Sequence, residues 1–317
     1  MLLIALAGLL LVLSPMGVER NGAQRWIEVG PMSLQPSEFA KLAVIVYIAA
    51  WLASRGDQIR DFSFGFLPFA LLLSVVGGLI IAEPDMGTTV IIVLVACTLF
   101  FVANAPISHL GMLLAAGASV SYFMMSTRDY QIDRLESYLR PESDPQGVGF
   151  QILQLLIALG SGGPLGLGWS ESRQKYLYVP GSHTDGVFAI LGEEIGFVGL
   201  MVVLGLFAFF VFRGLKVTLR SRDNFAMLLG IGIVAWISYQ TLINIGGITR
   251  TIPLTGVPLP FLSYGGSALI SLLAGVGILL SVSRYTAEAS YGERNQPRPA
   301  FRPREQRRGP AFGRSEA

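Results

Sequence analysis

The sequence predicts an all-α integral membrane protein, a polytopic bundle of about eight transmembrane helices with a large extracellular loop. Of its 317 residues, 52% are hydrophobic and only 14% are charged, whereas a soluble domain carries about 25% charged residues. The mean hydropathy is +0.58. A helix needs roughly 20 apolar residues to cross a bilayer. The stretches that approach this requirement are 1–15, 37–54, 64–82, 88–104, 108–125, 187–212, 225–245 and 266–283.

The orientation follows from the basic residues, because loops rich in Lys and Arg stay on the cytoplasmic side. Four of them, Arg213, Lys216, Arg220 and Arg222, lie between the sixth and seventh stretches, and an arginine-rich segment follows the last stretch. Both termini are therefore predicted to be cytoplasmic. The loops predicted to lie outside are 16–36, 83–87, 126–186 and 246–265. The first stretch lacks a positively charged start, which disfavours a signal peptide.

Two domains are predicted, a membrane domain over 1–285 and an Arg/Pro-rich cytoplasmic tail over 286–317. The tail composition is typical of a disordered segment attracted to anionic lipid, with a partner-binding motif as the alternative. The loop 126–186 is the longest by far, and long loops without their own structure are usually functional or disordered. It contains an apolar piece, 148–159, that is too short to span and is predicted to lie at the interface or to re-enter. The glycine-rich run 160–168 permits close backbone approach.

Disulfides and dedicated metal sites are not expected. Cys97 is the single cysteine, so no intramolecular disulfide can form. The two histidines, His109 and His183, are far apart in the sequence, which disfavours a histidine-rich metal site. A divalent cation, Mg²⁺ or Mn²⁺, remains possible as an assistant to the chemistry. No nucleic-acid partner is expected.

Asp185 is the leading catalytic candidate, because it lies where a polar loop enters a long apolar helix. Ionisable groups near the membrane are costly and are by default functional candidates. The alternative is a helix N-cap, a position that Asp favours. Glu193 and Glu194 follow on the same helix, but they cannot both face one site, since successive residues turn by about 100°. We expect them to make buried polar contacts between helices.

A second group consists of Arg25, Glu38 and Lys41. Glu38 and Lys41 lie three residues apart near the start of a helix and can form an internal ion pair. The alternative is a site for a phosphate-bearing ligand, since Arg makes bidentate phosphate contacts and Lys supplies a point charge. The sequence leaves both alternatives open.

Two further segments contain turn residues at the predicted outer face, and the second of them is predicted to wall the site. Asp85 lies in a Pro/Gly turn over 83–89 and is expected to cap the next helix. The segment 244–267 is rich in proline and glycine, and irregular backbone at membrane depth is tolerated only when it is buried in protein or lines a cavity. Ser263 and Tyr264 would supply hydroxyl groups there. The residues alone thus indicate an outward-facing polar site for an amphipathic anionic substrate.

Taken together, these motifs resemble the SEDS family, which comprises RodA, FtsW and SpoVE. The resemblance extends from residue 1 to about residue 285. The motifs that carry it are Gln24-Arg-Trp-Ile, Gln35-Pro-Ser-Glu-Phe-Ala-Lys41, Glu83-Pro-Asp-Met-Gly-Thr88, Ser161-Gly-Gly, His183-Thr-Asp, Gly192-Glu-Glu and Pro258-Leu-Pro-Phe-Leu-Ser-Tyr-Gly-Gly266.

The resemblance implies a membrane glycosyltransferase that polymerises lipid II beside a class B penicillin-binding protein. It implies that Asp185 is the essential acid and that Arg25 and Lys41 are the basic residues of the site. The family has ten helices, so a missing first hairpin is expected here, and a truncated or mis-started gene is the favoured explanation. Two positions depart from the family pattern: Gly186 stands where Phe is usual, and Glu83 stands where Gln is usual.

Two branches of the family fit different motifs. The segment 172–180 resembles FtsW of the division machinery, whereas 141–145 and 265–268 resemble RodA of the elongation machinery. We favour FtsW, with partners among divisome or elongasome membrane proteins. The alternatives from other classes are a lipid II flippase and a non-catalytic scaffold.

Overall fold

The computed structural model describes residues 1–20, 23–127, 136–143, 147–175 and 181–294. The α-helices, numbered here in chain order, are α1 Leu2–Val12, α2 Pro36–Arg55, α3 Leu67–Ala82, α4 Met86–Val102, α5 Ile107–Thr127, α6 Val148–Ser161, α7 Val187–Thr218, α8 Asn224–Ile248 and α9 Gly266–Arg294. The described residues also contain short 3₁₀ helices at Gly56–Arg60 and Pro141–Ser143 and a π-helical turn at Phe62–Phe66. The polytopic helical architecture is confirmed.

All eight predicted stretches are helical, but they differ in length. The helices long and apolar enough to cross a membrane are Pro36–Arg60, Phe62–Ala82, Val187–Thr218, Asn224–Ile248 and Gly266–Ala287. The other three stretches correspond to α1, α4 and α5, whose apolar described parts have only 10–17 residues. Within the described residues, five helices thus have spanning length, and the other three predicted stretches are shorter apolar helices.

The first connecting loop contains a small sheet, which the sequence did not predict. The strands β1 Gly17–Arg20, β2 Ala23–Val29 and β3 Met32–Leu34 form an antiparallel sheet in the order β1-β2-β3. Strands β2 and β3 are joined by a tight turn in which Gly30 has φ of 62°, a conformation that glycine adopts at little cost. The strands are too short to give a distinct hydropathy signal, and this explains why the sequence did not predict the sheet.

Helix α8 forms the centre of the bundle and packs against α2, α4 and α7. Within an apolar stretch of 18 residues in this helix, 72% is buried inside the protein. The helix begins after Asp223, whose side chain accepts a hydrogen bond from the backbone N–H of Ala226 at 3.0 Å. Helix α7 lies at the periphery, and only 11% of an apolar stretch of 18 residues in this helix is buried within the protein. Its exposed apolar side chains suit contact with lipid.

The connecting segments gather at the two ends of the bundle as the sequence predicts. At one end, the sheet contacts the 83–87 turn through Arg25, and the 181–186 turn contacts the segment 257–264. At the other end, Phe62 and Phe66 pack their rings against His109. The four loops predicted to share a side therefore have described parts that meet at one end.

The glycine-rich run 160–168 docks into a break in α7. Gly196 interrupts the helix with φ of 66° and ψ of −173°. The carbonyls that the break frees are satisfied by the run, since Leu167 N donates to Glu193 O at 2.9 Å and Gly168 N donates to Glu194 O at 3.1 Å. In return, the N–H groups of Phe197 and Val198 donate to the carbonyls of residues 163 and 164, at 2.9 and 3.0 Å.

The predicted interfacial piece 148–159 is the helix α6, and it packs on α7. Its buried side chains, Ile152, Leu155 and Ala158, recur three residues apart, which places them on one helix face. The predicted boundary of the tail needs a correction, because α9 continues as a helix to Arg294. The remainder of the predicted disordered tail, 295–317, lies outside the described residues.

The docking of the glycine-rich run predicts that Gly166→Ala destabilises the fold strongly. A Cβ at Gly166 would lie 2.1 Å from the carbonyl oxygen of Glu194, so the two backbones would have to separate. Gly163→Ala is a matched control, because Gly163 also has positive φ but has open space around it. Thermal unfolding in detergent should show a loss of about 1 kcal/mol for the control, the cost of left-handed backbone, and a clearly larger loss for Gly166→Ala. Equal losses would contradict the docking.

Candidate active site

Asp185 lies in a tight turn that precedes α7. The backbone N–H groups of Thr184 and Gly186 both donate to the carbonyl of Gly181 at 3.0 Å. The Thr184 hydroxyl donates to Asp185 Oδ1 at 2.9 Å. A Cβ at Gly181 would lie 2.2 Å from Asp185 Oδ1, and Gly181 has φ of 72°. Glycine at this position therefore makes room for the carboxylate.

Asp185 is not the N-cap of α7. The N-cap is Gly186, and the helix start carries no side-chain cap hydrogen bond. The Asp185 side chain is half-buried, at the end of the bundle where the predicted outer loops meet. Of the two alternatives from the sequence, the geometry disfavours the cap.

The segment 257–264 holds the Asp185 turn from the opposite side. The Ser263 hydroxyl donates to the Thr184 carbonyl at 2.5 Å and accepts from Leu259 N at 2.7 Å. The backbone N–H of Tyr264 donates to the His183 carbonyl at 2.8 Å. The Ser263 hydroxyl is thus occupied by backbone groups, whereas the Tyr264 side chain is 81% exposed.

Helix α8 contributes two buried amides, Gln240 and Asn244, one turn apart. Asn244 Nδ2 donates to the carbonyls of Asp185 and Val257, both at 2.8 Å. Gln240 Nε2 donates to the carbonyl of Pro258 at 2.9 Å. Gln240 was not identified from the sequence. The available signal was the i, i+4 spacing of two amides within an apolar helix, which places them on one face.

Lys41 and Glu38 form a buried ion pair, one of the two alternatives that the sequence left open. Lys41 Nζ lies 2.8 Å from Glu38 Oε1, and the two side chains are 1% and 2% exposed. Lys41 Nζ also donates to Gln240 Oε1 at 3.0 Å and lies 5.2 Å from the ring centroid of Trp236. The ammonium is therefore surrounded by internal partners. Binding of a phosphate by Lys41 stays a prediction.

Arg25 on β2 reaches the turn between α3 and α4. Its guanidinium donates to the carbonyl of Glu83 at 3.1 Å and to the carbonyl of Pro84. Both acceptors are neutral backbone groups, so these bonds orient the guanidinium without neutralising its charge. The turn is connected to Asp185 through the segment that contains Thr255 and Gly256. A Cβ at Gly87 would lie 3.3 Å from the Thr255 carbonyl oxygen, and a Cβ at the next residue, Gly256, would lie 3.8 Å from Asp185 Oδ2.

Asp85 caps α4 as predicted, since its Oδ1 accepts from Thr88 N at 3.1 Å. Its neighbour Glu83 is fully buried, and neither carboxylate oxygen has a hydrogen-bond partner among the described residues. Glu83 lies in the connection outside the helices. Burial, and then the nearby Asp85 carboxylate, raise the pKa of Glu83 from 4.5 to about 8, although Arg25 opposes the shift.

The predicted roles of Glu193 and Glu194 need a correction, because both bind the outer loop and not another helix. Glu193 accepts from Ser172 Oγ at 2.5 Å and from the backbone N–H groups of residues 173 and 174, at 3.1 and 3.2 Å. Glu194 forms an ion pair with Lys175 at 3.0 Å. The two adjacent carboxylates therefore fix 172–175, the segment that leads towards the Asp185 turn.

The arrangement combines a partly exposed carboxylate, Asp185, with an oriented guanidinium, Arg25, at one end of the bundle. A carboxylate in such a position can accept a proton, and a guanidinium can bind an anionic oxygen. Within the described ranges, no group of three or more His, Cys, Asp or Glu side chains is arranged to hold a metal ion.

Comparisons with known proteins agree on one family. The FtsW/RodA/SpoVE family model, described as cell cycle protein, matches residues 1–288. The chain is 44% identical over 279 residues to stage V sporulation protein E of Bacillus subtilis, covering 88% of this chain and 76% of that protein. It is 39% identical over 285 residues to the probable peptidoglycan glycosyltransferase FtsW of Trichlorobacter lovleyi, covering 89% of this chain and 74% of that protein.

Solved structures agree with this result. A chain in a structure described as the structural coordination of polymerization and crosslinking by a peptidoglycan synthase complex has a TM-score of 0.74 and 32% identity, covering 90% of this chain and 80% of that chain. The Thermus thermophilus rod shape determining protein RodA has a TM-score of 0.64 and 28% identity, covering 89% of this chain and 78% of that chain.

The buried state of Glu83 predicts a stability that depends on pH. Its folded pKa, about 8, exceeds the ordinary value of 4.5, so the unfolded chain releases this proton at lower pH than the folded protein does. The contribution of Glu83 to the free energy of unfolding is full below pH 4.5 and is lost as the pH rises towards 8. Glu83→Gln, a neutral isostere, should remove this loss.

The measurement is the thermal unfolding midpoint of both proteins between pH 5 and pH 9, a range of about four pH units around the raised pKa. Glu83→Gln should unfold at a higher temperature than the wild type at the alkaline end, and the difference should shrink towards the acidic end. Glu171→Gln, which alters an exposed carboxyl, is the control and should show no such trend. A constant difference for Glu83→Gln at every pH would contradict the prediction.

The buried ion pair predicts that removing one partner destabilises the fold more than removing both. Lys41→Met leaves Glu38 buried with an uncompensated charge, which costs about 3–5 kcal/mol. The double variant Glu38→Gln/Lys41→Met should recover most of that loss. Thermal unfolding of the two variants gives the comparison, and a double variant less stable than Lys41→Met alone would argue against the pairing.

Proposed function

The chain belongs to the FtsW/RodA/SpoVE family of cell cycle proteins, and we propose that it polymerises lipid II at one end of its helical bundle, with Asp185 as the general base. It is a multi-pass membrane protein and a peptidoglycan glycosyltransferase, in keeping with relatives of that name at 39–40% identity. The observation that carries the assignment of the site is a half-buried carboxylate, Asp185, in a turn that the rest of the protein holds firmly.

The proposed reaction transfers the growing glycan from a lipid carrier to an acceptor sugar. The 4-hydroxyl oxygen of the acceptor GlcNAc attacks the anomeric carbon of the donor MurNAc. The bond from that carbon to the lipid pyrophosphate breaks, and the pyrophosphate leaves with the electron pair. Asp185 takes the proton of the attacking hydroxyl. Such positioned proton transfer contributes about 10²–10⁴-fold to a rate.

Arg25 is proposed to bind the leaving pyrophosphate. Its guanidinium is oriented by two neutral backbone carbonyls, and it lies on the same end of the bundle as Asp185. A preorganised cation at the point where negative charge develops stabilises the transition state. Lys41, Glu38 and Tyr264 stay predicted substrate contacts, whereas the Ser263 hydroxyl, the fourth predicted contact, is occupied by backbone groups. Among these, the largely exposed Tyr264 is the one most accessible to a ligand.

A divalent cation is also part of the proposal. Mg²⁺ commonly binds through one or two carboxylates together with phosphate oxygens of a substrate. Such a cation would assist through the pyrophosphate oxygens of the substrate, because Asp185 is assigned to proton transfer and no protein cage for a metal is proposed.

The site is proposed to face outwards, with both termini in the cytoplasm, because the basic clusters between α7 and α8 and after α9 favour the cytoplasmic side. The proposed partner is a class B penicillin-binding protein, which would cross-link the strands. The similarity to a chain of a peptidoglycan synthase complex supports a partner of this class. Other membrane proteins of the divisome or the elongasome are proposed to join them.

For the branch of the family, we propose the FtsW side. The relatives at 38–44% identity carry the names FtsW and SpoVE, whereas the RodA structure is 28% identical. A flippase would need charges along a path through the membrane. The buried Glu38–Lys41 pair is internally compensated, and this favours a structural role for those charges over transport.

Asp185→Ala should lower glycan polymerisation from lipid II by at least about 10²-fold. The assay uses the purified full chain with a class B penicillin-binding protein, and the readout is the length and amount of glycan. Asp223→Ala is the matched control, because it removes the N-cap at the start of α8, whereas the Asp185 turn contacts Asn244 near the end of that helix. Polymer formation by Asp185→Ala at the wild-type rate would refute the base assignment.

A further inference from the structure

The three residues of the Asp185 turn share an unusual feature: each of three successive backbone carbonyls accepts a hydrogen bond from a different donor outside the turn. The carbonyl of His183 accepts from Tyr264 N at 2.8 Å. The carbonyl of Thr184 accepts from the Ser263 hydroxyl at 2.5 Å. The carbonyl of Asp185 accepts from Asn244 Nδ2 at 2.8 Å. Three contacts in a row fix both the position and the direction of the backbone that carries the carboxylate.

Asn244 is well placed to act as a rigid donor. It is 3% exposed and lies in the most buried helix, α8. Its amide nitrogen bridges two carbonyls, those of Asp185 and Val257, both at 2.8 Å. Since two acceptors face the same atom, that atom must be the nitrogen, and this settles the orientation of the amide. Its oxygen is buried without a hydrogen-bond partner among the described residues, so the side chain serves only as a donor there.

Ser263 makes the second side-chain contact and uses its hydroxyl in both directions. The hydroxyl donates to the Thr184 carbonyl and accepts from the N–H of Leu259. A single hydroxyl can donate one hydrogen bond, and the Ser263 hydroxyl donates it to a backbone carbonyl. Ser263 therefore joins the segment 257–264 to the Asp185 turn, and this role differs from the substrate contact that the sequence predicted.

We infer that Asn244 and Ser263 are positioning residues, which hold the Asp185 turn so that its carboxylate meets the acceptor hydroxyl. The inference deepens the proposed function and rests on Asp185 being the base. Catalysis by a positioned group depends steeply on geometry, and a misplacement of about 1 Å costs on the order of 10²-fold in rate. Neither side chain touches the substrate in this role. Their loss therefore acts on the chemical step and leaves substrate binding unchanged.

The test compares Asn244→Ala with Thr241→Val, both on α8. Thr241 is 5% exposed, and its hydroxyl donates only to the Ile237 carbonyl within the helix, so Thr241→Val removes a buried hydrogen bond that does not reach the turn. We expect kcat for polymerisation of lipid II to fall about 10–100-fold in Asn244→Ala, with KM within about twofold of the wild type. Thr241→Val should keep the wild-type kcat. Thermal unfolding is measured for both.

Ser263 provides a second pair of variants, in case Asn244→Ala does not fold. Ser263→Ala removes the hydroxyl and should lower kcat at unchanged KM, whereas Ser263→Thr keeps the hydroxyl and should restore kcat. An increase in KM at unchanged kcat in Ser263→Ala would assign Ser263 to substrate binding and overturn the positioning role. A wild-type kcat in both Asn244→Ala and Ser263→Ala would overturn it as well.

Asp185→Ala, assayed in parallel, distinguishes failure of the positioning role from failure of the base assignment. If Asp185→Ala is inactive and the positioning variants have wild-type kcat, the inference fails and the proposed base stands. If Asp185→Ala retains the wild-type rate, the base assignment fails, whatever the positioning variants do.

Discussion

Backbone carbonyls and N–H groups that leave a helix inside an apolar bundle must find partners within the protein, because lipid offers none. The end of the bundle that carries Asp185 is built around this constraint. Asn244 and Gln240 extend from the buried helix α8 and supply donors to the carbonyls of Asp185, Val257 and Pro258. The irregular segments around the site are therefore as well determined as the helices, and a loop can hold a carboxylate in a defined position.

The same constraint explains the break in α7. A helix that stops at Gly196 frees carbonyls one turn earlier and N–H groups just beyond, and the glycine-rich run pairs with both sets. The side chains of Glu193 and Glu194 bind the chain that follows the run. One short region of α7 thus anchors the long outer loop through its backbone and through its carboxylates.

Charged side chains differ in their partners between the interior and the end of the bundle. The ammonium of Lys41 is compensated by Glu38 and by the oxygen of Gln240, because an unpaired charge at that depth would be costly. Arg25 lies at the end of the bundle and is held by neutral carbonyls. The Lys41–Glu38 pair is internal to the bundle, whereas the Arg25 guanidinium is oriented at its end. Gln240 joins the first of these arrangements to the wall of the site through Pro258.

The sequence by itself determined the class of fold and the positions of the helices, since hydropathy is a local property of the chain. It also singled out Asp185 and Arg25 as candidates, because isolated charges beside apolar stretches can be identified locally. It missed the small sheet, because three short strands give no distinct periodicity. Only the tertiary structure decided that Glu38 pairs with Lys41, that Ser263 binds backbone, and that Gln240 and Asn244 reach the site. The reason is physical: a hydrogen bond between Asn244 and Asp185 joins residues 59 positions apart, and such contacts depend on how the helices pack and not on local sequence.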